Sequence, residues 1–318
     1  MHMFRFSPKR VRITFCLQFP RISLSTYLDQ EYCIDLVKTC DFENYLCGLL
    51  VPKHIRRCYF TVKAFNVEIA QVRDQSRNNF LTGRLRFQFW RESIEAAFNH
   101  SNEMSVEQRR HPIVRELSAC VQRYGLTKRY LEQSVEARLA DFAGKEIASM
   151  SDLEWYAESS QSSMLYLLLE ALGIKEEKAM YAASHAGCCA GIVTLLRGFP
   201  LHIQQKQLYF PEDLIIKHGL SKTELQNSLK LSDKNIEAIT AITFEVAAQA
   251  YGHLERVRYH ISEGLPTGAI YALLPAVQSH MFLANLEKEN FNIIAHRTSG
   301  NQLWYQMKLL KFIYLQKL

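Results

Sequence analysis

The sequence predicts an all-α protein, and three observations support that prediction. Glycine and proline are scarce, at 13 and 8 of 318 residues, which leaves few of the tight turns that an all-β fold needs. Apolar residues recur at steps of three and four after residue 30, whereas no comparable segment alternates with a period of two. Helix-ending residues recur at intervals of about 10–25 residues. The hydrophobic share of 48% is sufficient for a sizeable core.

Five sets of apolar residues, spaced by three or four, each place an apolar face on a predicted helix. In chain order the sets fall within residues 62–72, 113–124, 131–142, 188–199 and 247–261. Proline and glycine mark the predicted boundaries between helices, at Pro52, Gly83, Pro112, Gly125, Gly173, Pro200, Pro211, Gly219 and Pro266. No long linker and no repeat of fixed period interrupts this pattern. Residues 31–318 are therefore predicted to form a single domain.

The first 30 residues differ in composition from the rest. They carry five basic residues against a single acid: Arg5, Lys9, Arg10, Arg12 and Arg21. Segments that are rich in arginine and serine and poor in acids are typical of mitochondrial transit peptides. Arg12 and Arg21 also interrupt the apolar run that a secretory signal would need. We predict that residues 1–30 form a transit peptide, with a disordered basic leader as the alternative.

Charge and cysteine content argue against two classes of function. The formal net charge is +6, but the first 30 residues hold most of it, and the remaining charge of about +2 is too small for a nucleic-acid-binding surface. None of the eight cysteines stands in a zinc-binding arrangement, and Cys188 and Cys189 are adjacent. Free thiols fit a reducing compartment. The dinucleotide, P-loop, zinc-protease and serine-hydrolase motifs are also absent from the sequence.

Membrane contact is predicted to be peripheral. We find no stretch of the roughly 18 or more nearly uncharged apolar residues that a spanning helix needs. Two segments suit contact with a bilayer, residues 164–172 and residues 303–318, and the second mixes aromatic residues with Lys308, Lys311 and Lys317. Such a mixture is typical of an interfacial anchor. The alternative is an ordinary core-packing helix whose lysines extend to solvent.

Six local strings resemble the squalene/phytoene synthase family and occur in the family's order. They are YFTVKAFNVEIAQVRD (59–74), HPIVRELSACVQRYGL (111–126), DLEWYAESS (152–160), AGIVTLLRG (190–198), QLYFPEDLIIKHGL (207–220) and ALLPA (272–276). The resemblance spans roughly residues 31–300. It implies an orthogonal bundle of antiparallel helices of the isoprenoid (trans-prenyl) synthase type, with a central, mostly apolar cavity.

Residues 32–74 and 274–293 resemble more narrowly an animal mitochondrial branch of this family. That resemblance implies a role in the assembly of mitochondrial respiratory complex I, on the matrix side of the inner membrane. It also implies complex I subunits or other assembly factors as partners. Composition and spacing by themselves indicate none of this.

The resemblance also identifies a degenerate first metal motif. Active family members hold Mg²⁺ with two Asp-x-x-x-Asp motifs, because a spacing of four places both carboxylates on one helical face. The metal neutralises the departing pyrophosphate. At residues 70–74 Ala70 replaces the first carboxylate and Asp74 keeps the second. Glu68 lies about 200° round the helix from Ala70 and does not substitute for it.

The second metal motif has lost both carboxylates. It falls at residues 198–202, where Gly198 and His202 occupy the two positions. Between Glu177 and Glu212 the sequence contains no acid, so no shift of the alignment restores the motif. Four other positions match the family and are candidates for cavity or phosphate contacts, with a purely structural role as the alternative: Asp141, Tyr156, Arg197 and Tyr209.

We therefore predict a pseudoenzyme that has no catalytic residues, metal or cofactor and acts through protein contacts. Two alternatives stay open. One is a residual Mg²⁺-dependent prenyl transferase, and the other is a carrier that holds an isoprenoid or another lipid without transforming it. Peripheral contact with lipid of the inner membrane is a further expectation, and nucleic acid is not an expected partner.

Overall fold

The computed structural model of the chain describes residues 24–76, 79–99, 104–221, 232–295 and 302–318. Across these ranges the chain is helical and contains no β-strand. The α-helices are α1 (Leu24–Cys40), α2 (Phe42–Leu50), α3 (Lys53–Gln75), α4 (Phe80–Phe98), α5 (Val106–Arg110), α6 (Pro112–Tyr124), α7 (Lys128–Phe142), α8 (Met150–Ala157), α9 (Ser163–Ala171), α10 (Glu177–Gln204), α11 (Glu212–Lys217), α12 (Asp233–Ser262), α13 (Pro275–Lys288) and α14 (Gln302–Leu315). A π-helical turn (Glu158–Ser162) joins α8 to α9, and a 3₁₀ turn (Ala269–Tyr271) precedes α13. The predicted all-α class is confirmed.

Short polar side chains set several helix starts. In each case an oxygen of the capping residue accepts a hydrogen bond from a backbone N–H of the first turn, which would otherwise have no partner. The capping residues are Asp41, Asn79, Ser105, Ser149 and Ser232. The predicted boundary at Gly125 is confirmed, because this glycine ends α6 with a φ of 63°.

Two of the predicted helix boundaries are wrong. Gly83 lies inside α4, where a Cβ atom would come within 2.1 Å of the Phe142 ring, so this glycine provides space for packing. Pro200 lies inside α10, which continues to Gln204. A proline removes one backbone hydrogen bond from a helix, and here that loss does not end the helix.

α10 is the central helix of the fold. It packs against α8, the π-helical turn, α9, α12 and α13. Gly187 and Gly191 lie one turn apart on the face that meets α8 and the π-helical turn. A Cβ on Gly187 would lie 2.3 Å from the Cα atom of Ser162, and a Cβ on Gly191 would lie 2.7 Å from that of Ala157. Real Cβ atoms essentially never approach this closely, so the backbone contact requires glycine at both positions.

Among the described helices, α10 is long and apolar enough to cross a membrane by length and composition. The expectation that no segment reaches this threshold is therefore wrong. Buried residues make up 61% of its most apolar stretch. α10 is apolar because it packs against neighbouring helices in the core.

The first described helix is tied to the domain by an ion pair. Asp29 of α1 is buried, and its carboxylate accepts a hydrogen bond from the Nε atom of Arg115 on α6 at 2.7 Å. Residues 24–30, which we predict to be part of the leader, lie in α1. The boundary at residue 31 stays a prediction. Residues 1–23 of the predicted leader lie outside the described residues.

We expect Gly191→Ala to lower the free energy of unfolding by about 1–3 kcal/mol, because the added methyl group would force α8 away from α10. Gly252→Ala in α12 is the matched control. An added Cβ at Gly252 meets nothing within 4 Å, and alanine should stabilise this helix by about 0.5–1 kcal/mol. Urea unfolding of both purified variants measures the difference. Equal effects would contradict the close contact.

Candidate functional site

A cavity of about 170 Å³ opens among α3, α4, α7, α8, the π-helical turn and α10. Six of the eight residues that the sequence singled out line it, namely Ala70, Asp74, Asp141, Tyr156, His202 and Tyr209. Residues that are distant in sequence are thus brought together at one site. The wall is less apolar than expected, because two arginines and two aspartates line it.

Arg73, Asp141 and Tyr209 form a charged cluster in this wall. α3 supplies Arg73, α7 supplies Asp141, and Tyr209 precedes α11. The Nη2 atom of Arg73 lies 2.9 Å from Oδ2 of Asp141, and the Tyr209 hydroxyl donates to the same oxygen at 3.1 Å. Burial raises the pKa of Asp141, while the charge of Arg73 opposes this rise. The carboxylate already has one cationic partner and one hydroxyl donor.

Asp74 and His202 line the same cavity. Asp74 is exposed and accepts a hydrogen bond from Nε2 of Gln205 at 3.3 Å. The His202 ring packs edge-on against Tyr209, with 4.6 Å between ring centroids. Burial lowers the pKa of His202 to about 4, although the charge of Asp74 opposes the shift. Near pH 7 the ring is therefore neutral at the position that we predict to belong to the degenerate second metal motif.

Arg138 is a second cation of the cavity wall. Its Nη2 atom donates to Oδ1 of Asn66 at 2.6 Å, while its Nε atom is buried without a hydrogen-bond partner. Burial raises the pKa of Tyr156, and the charge of Arg138 opposes this rise. Ser160 and Gln161 of the π-helical turn complete this part of the wall. Turns of this type are frequent at functional sites.

Two of the predicted site residues lie outside the cavity wall. The Nη2 atom of Arg197 lies 2.8 Å from Oε1 of Glu43 on α2, so its charge is paired there. Gly198 lies against His202, since a Cβ at position 198 would come within 2.4 Å of Cε1 of the histidine. The missing side chain at position 198 therefore makes room for the His202 ring. Among the described residues, Arg73 and Arg138 are the cationic side chains that line the cavity.

The donor set of the cavity does not fit the magnesium ions that the family resemblance implies. Mg²⁺ prefers carboxylate and water oxygens in octahedral geometry. Asp74 and Asp141 are the carboxylates that line the cavity, and Asp141 is paired with Arg73. Within the described parts of the chain, no group of three or more His, Cys, Asp or Glu side chains is arranged to hold a metal ion. A guanidinium group supplies the positive charge beside Asp141.

Arg138 and the π-helical turn were not predicted. Arg138 precedes Asp141 by three residues, so both lie on one face of α7. That spacing is a signal which the sequence contains. For the π-helical turn, Glu158–Ser162, we identify no comparable spacing in the sequence.

We expect Asp141→Asn to lower the free energy of unfolding by about 1–3 kcal/mol, because it leaves the largely buried Arg73 without its counter-charge. Asp74→Asn is the control at the exposed carboxylate of the same cavity and should change stability by less than about 0.5 kcal/mol. Chemical unfolding at pH 7 measures both. The account of the ion pair fails if Asp141→Asn is as stable as Asp74→Asn.

The stability of the protein should depend on pH because of His202. Its folded-state pKa of about 4 lies below the ordinary value of 6.5, so the folded state resists protonation. The contribution of His202 to the free energy of unfolding is fully present above pH 6.5. It declines by roughly 2–3 kcal/mol as the pH falls from 6.5 towards 4. His202→Phe keeps an aromatic ring and should show a smaller decline over this interval.

His54→Phe is the control, because His54 is exposed. This variant should have the same pH profile of stability as the wild type. Thermal melting between pH 7 and pH 4 compares the three proteins. Parallel profiles of the wild type and His202→Phe would exclude His202 as a source of the pH dependence.

Comparisons with known proteins agree with this architecture. The family model for squalene/phytoene synthase matches residues 37–304. The chain is 37% identical over 262 residues to the rat protein "NADH dehydrogenase (ubiquinone) complex I, assembly factor 6", covering 82% of this chain and 75% of that protein. The homologue in Drosophila melanogaster is 34% identical, with 84% and 78% covered. The homologue in Dictyostelium discoideum is 31% identical, with 89% and 77% covered.

Solved structures show the same fold. A dehydrosqualene synthase in complex with a ligand aligns with a TM-score of 0.73 and 18% identity, over 92% of this chain and 98% of that chain. Squalene synthase HpnC from Alicyclobacillus acidocaldarius aligns with a TM-score of 0.70 and 16% identity, over 85% and 97%. The predicted isoprenoid synthase fold is confirmed. Together with the match over residues 37–304, these findings show that the chain belongs to the squalene/phytoene synthase family.

Proposed function

We propose that this chain acts in the assembly of mitochondrial respiratory complex I, NADH:ubiquinone oxidoreductase. The observation that carries the proposal is its identity of 31–37% to proteins named as complex I assembly factor 6 and its homologues. The alignments cover 82–89% of this chain, so the likeness extends across the helical domain. Complex I is a mitochondrial enzyme, and the same observation therefore supports a mitochondrial location.

The chain acts through protein contacts and not by prenyl transfer. Ionising an allylic diphosphate requires divalent metal to neutralise the departing pyrophosphate. In this cavity Ala70 and His202 stand at motif positions where the family has carboxylates, and Asp141 is engaged by Arg73 at 2.9 Å. This electrostatic arrangement supports a pseudoenzyme without cofactor.

The site of action is the matrix side of the inner membrane, where the partners are complex I subunits or other assembly factors. The basic, acid-free composition of residues 1–28 supports import into the matrix. Peripheral contact with membrane lipid belongs to the same proposal. On α14, the exposed side chains of Trp304, Lys311 and Tyr314 support such contact.

We expect Asp74→Ala to restore complex I as fully as the wild type in cells that lack this protein, because a scaffold does not need the surviving motif carboxylate. Native gels of respiratory complexes, with complexes III and IV as internal references, measure the recovery. The untransformed null should lose complex I selectively.

Two other outcomes identify the alternatives. Failure of Asp74→Ala to rescue, together with Mg²⁺-dependent release of pyrophosphate from farnesyl diphosphate by the purified wild type, would establish a residual prenyl transferase. Lipid that stays with the purified wild type and is lost from a folded cavity variant would establish a carrier. Rescue of complex I by Asp74→Ala without turnover supports the assembly role.

A further inference from the structure

The C-terminal helix α14 has an exposed apolar face. We define the α14 face by six side chains that are each more than 40% exposed: Leu303, Trp304, Met307, Leu310, Tyr314 and Leu315. At about 100° per residue, Leu303, Met307, Leu310 and Tyr314 fall within about 60° of one another. They form a stripe along the length of the helix. A contiguous apolar surface of this kind marks an interaction site.

The opposite side of α14 attaches the helix to the domain. Tyr305, Leu309 and Phe312 are buried, and the hydroxyl of Tyr305 lies 3.3 Å from Sγ of Cys47 on α2. One side of the helix packs on the core, as the second of the two alternatives drawn from the sequence predicts, and the other side is exposed. The α14 face keeps a fixed orientation relative to the domain.

The charge of this segment has a single sign. Residues 302–318 contain Lys308, Lys311 and Lys317 and no acid. Lys311 lies within the arc of the α14 face and is exposed, while the Lys308 ammonium group lies 5.4 Å from the centroid of the Trp304 ring. An apolar surface edged by aromatic rings and lysines fits the boundary between phospholipid headgroups and acyl chains.

Charge complementarity selects the occupant of this surface. The N-terminal leader is basic, and so is a second copy of α14, so both would be repelled by the lysines. An anionic surface is attracted, and juxtaposed lysines strengthen binding to membranes that contain anionic lipid. The aromatic and aliphatic side chains then enter the interfacial layer.

We propose that α14 lies flat on a bilayer containing anionic phospholipid, with Met307 and Leu310 inserted and Lys308 and Lys311 at the level of the phosphate groups. This deepens the membrane-side location proposed above and rests on it. Its test uses purified full-length chain and does not require complex I.

Co-sedimentation with vesicles tests the α14 face. The probes are phosphatidylcholine vesicles and phosphatidylcholine vesicles in which about one third of the lipid is phosphatidylglycerol. We expect the wild type to bind the anionic vesicles at least tenfold more tightly than the neutral ones. Both Met307→Ser/Leu310→Ser and Lys308→Gln/Lys311→Gln should weaken binding to the anionic vesicles at least tenfold.

Leu81→Ser/Leu85→Ser on α4 is the matched control, because these leucines are 65% and 62% exposed and lie outside the α14 face. This control should bind as the wild type does. Thermal melting establishes that each variant is folded. Absence of wild-type binding to both vesicles would overturn the proposal and assign the face to a protein partner. An equal loss in the α4 control would also overturn it.

Rescue of complex I separates this proposal from the assembly role. A chain that binds anionic vesicles through the α14 face but does not restore complex I would refute the assembly role alone. A chain that restores complex I without binding vesicles would refute the membrane contact alone.

Discussion

The backbone contact between α10 and the segment of α8 and the π-helical turn fixes the position of the cavity. Gly187 and Gly191 permit this contact, and Gly191 itself lines the cavity. Because the two backbones are so close, Tyr156 on one side and Thr194 on the other side face the same small volume. The geometry of the site thus depends on two positions that have no side chain.

Side chains of the chain itself supply the counter-charge for the buried carboxylate of the cavity. A carboxylate buried beside an apolar core is costly unless a cation or hydrogen-bond donors accompany it. Arg73 meets this requirement for Asp141, and Tyr209 contributes a hydroxyl donor to the same oxygen. An arginine is covalently part of the chain and always charged. The counter-charge of Asp141 is therefore part of the chain.

Much of the fold follows from the sequence, because helical periodicity and capping residues are local properties. The apolar stripes at residues 113–124 and 131–142 correspond to α6 and α7. The helix boundaries predicted at Gly83 and Pro200 are wrong because the effects of these residues depend on tertiary neighbours, as the Phe142 ring beside Gly83 shows. A composition rule cannot separate a glycine that ends a helix from one that accommodates a packed ring.

The site was only partly predictable for the same reason. Family positions identified six residues that line the cavity, since a common fold preserves which helical face points inwards. They did not reveal that Arg197 pairs with Glu43, because the partner is distant in sequence and belongs to another helix. Arg138 could have been found from its spacing to Asp141, whereas the π-helical turn depends on how its neighbours pack.

The contact between position 198 and the ring of His202 limits which residues position 198 can hold. An aspartate at position 198 would place its Cβ within 2.4 Å of that ring, and Tyr209 limits the room into which the ring can move. A side chain at position 198 is therefore opposed sterically as long as the His202 ring occupies this place. A larger residue at position 198 therefore fits only after a smaller side chain has replaced His202, so the order in which these two positions change matters.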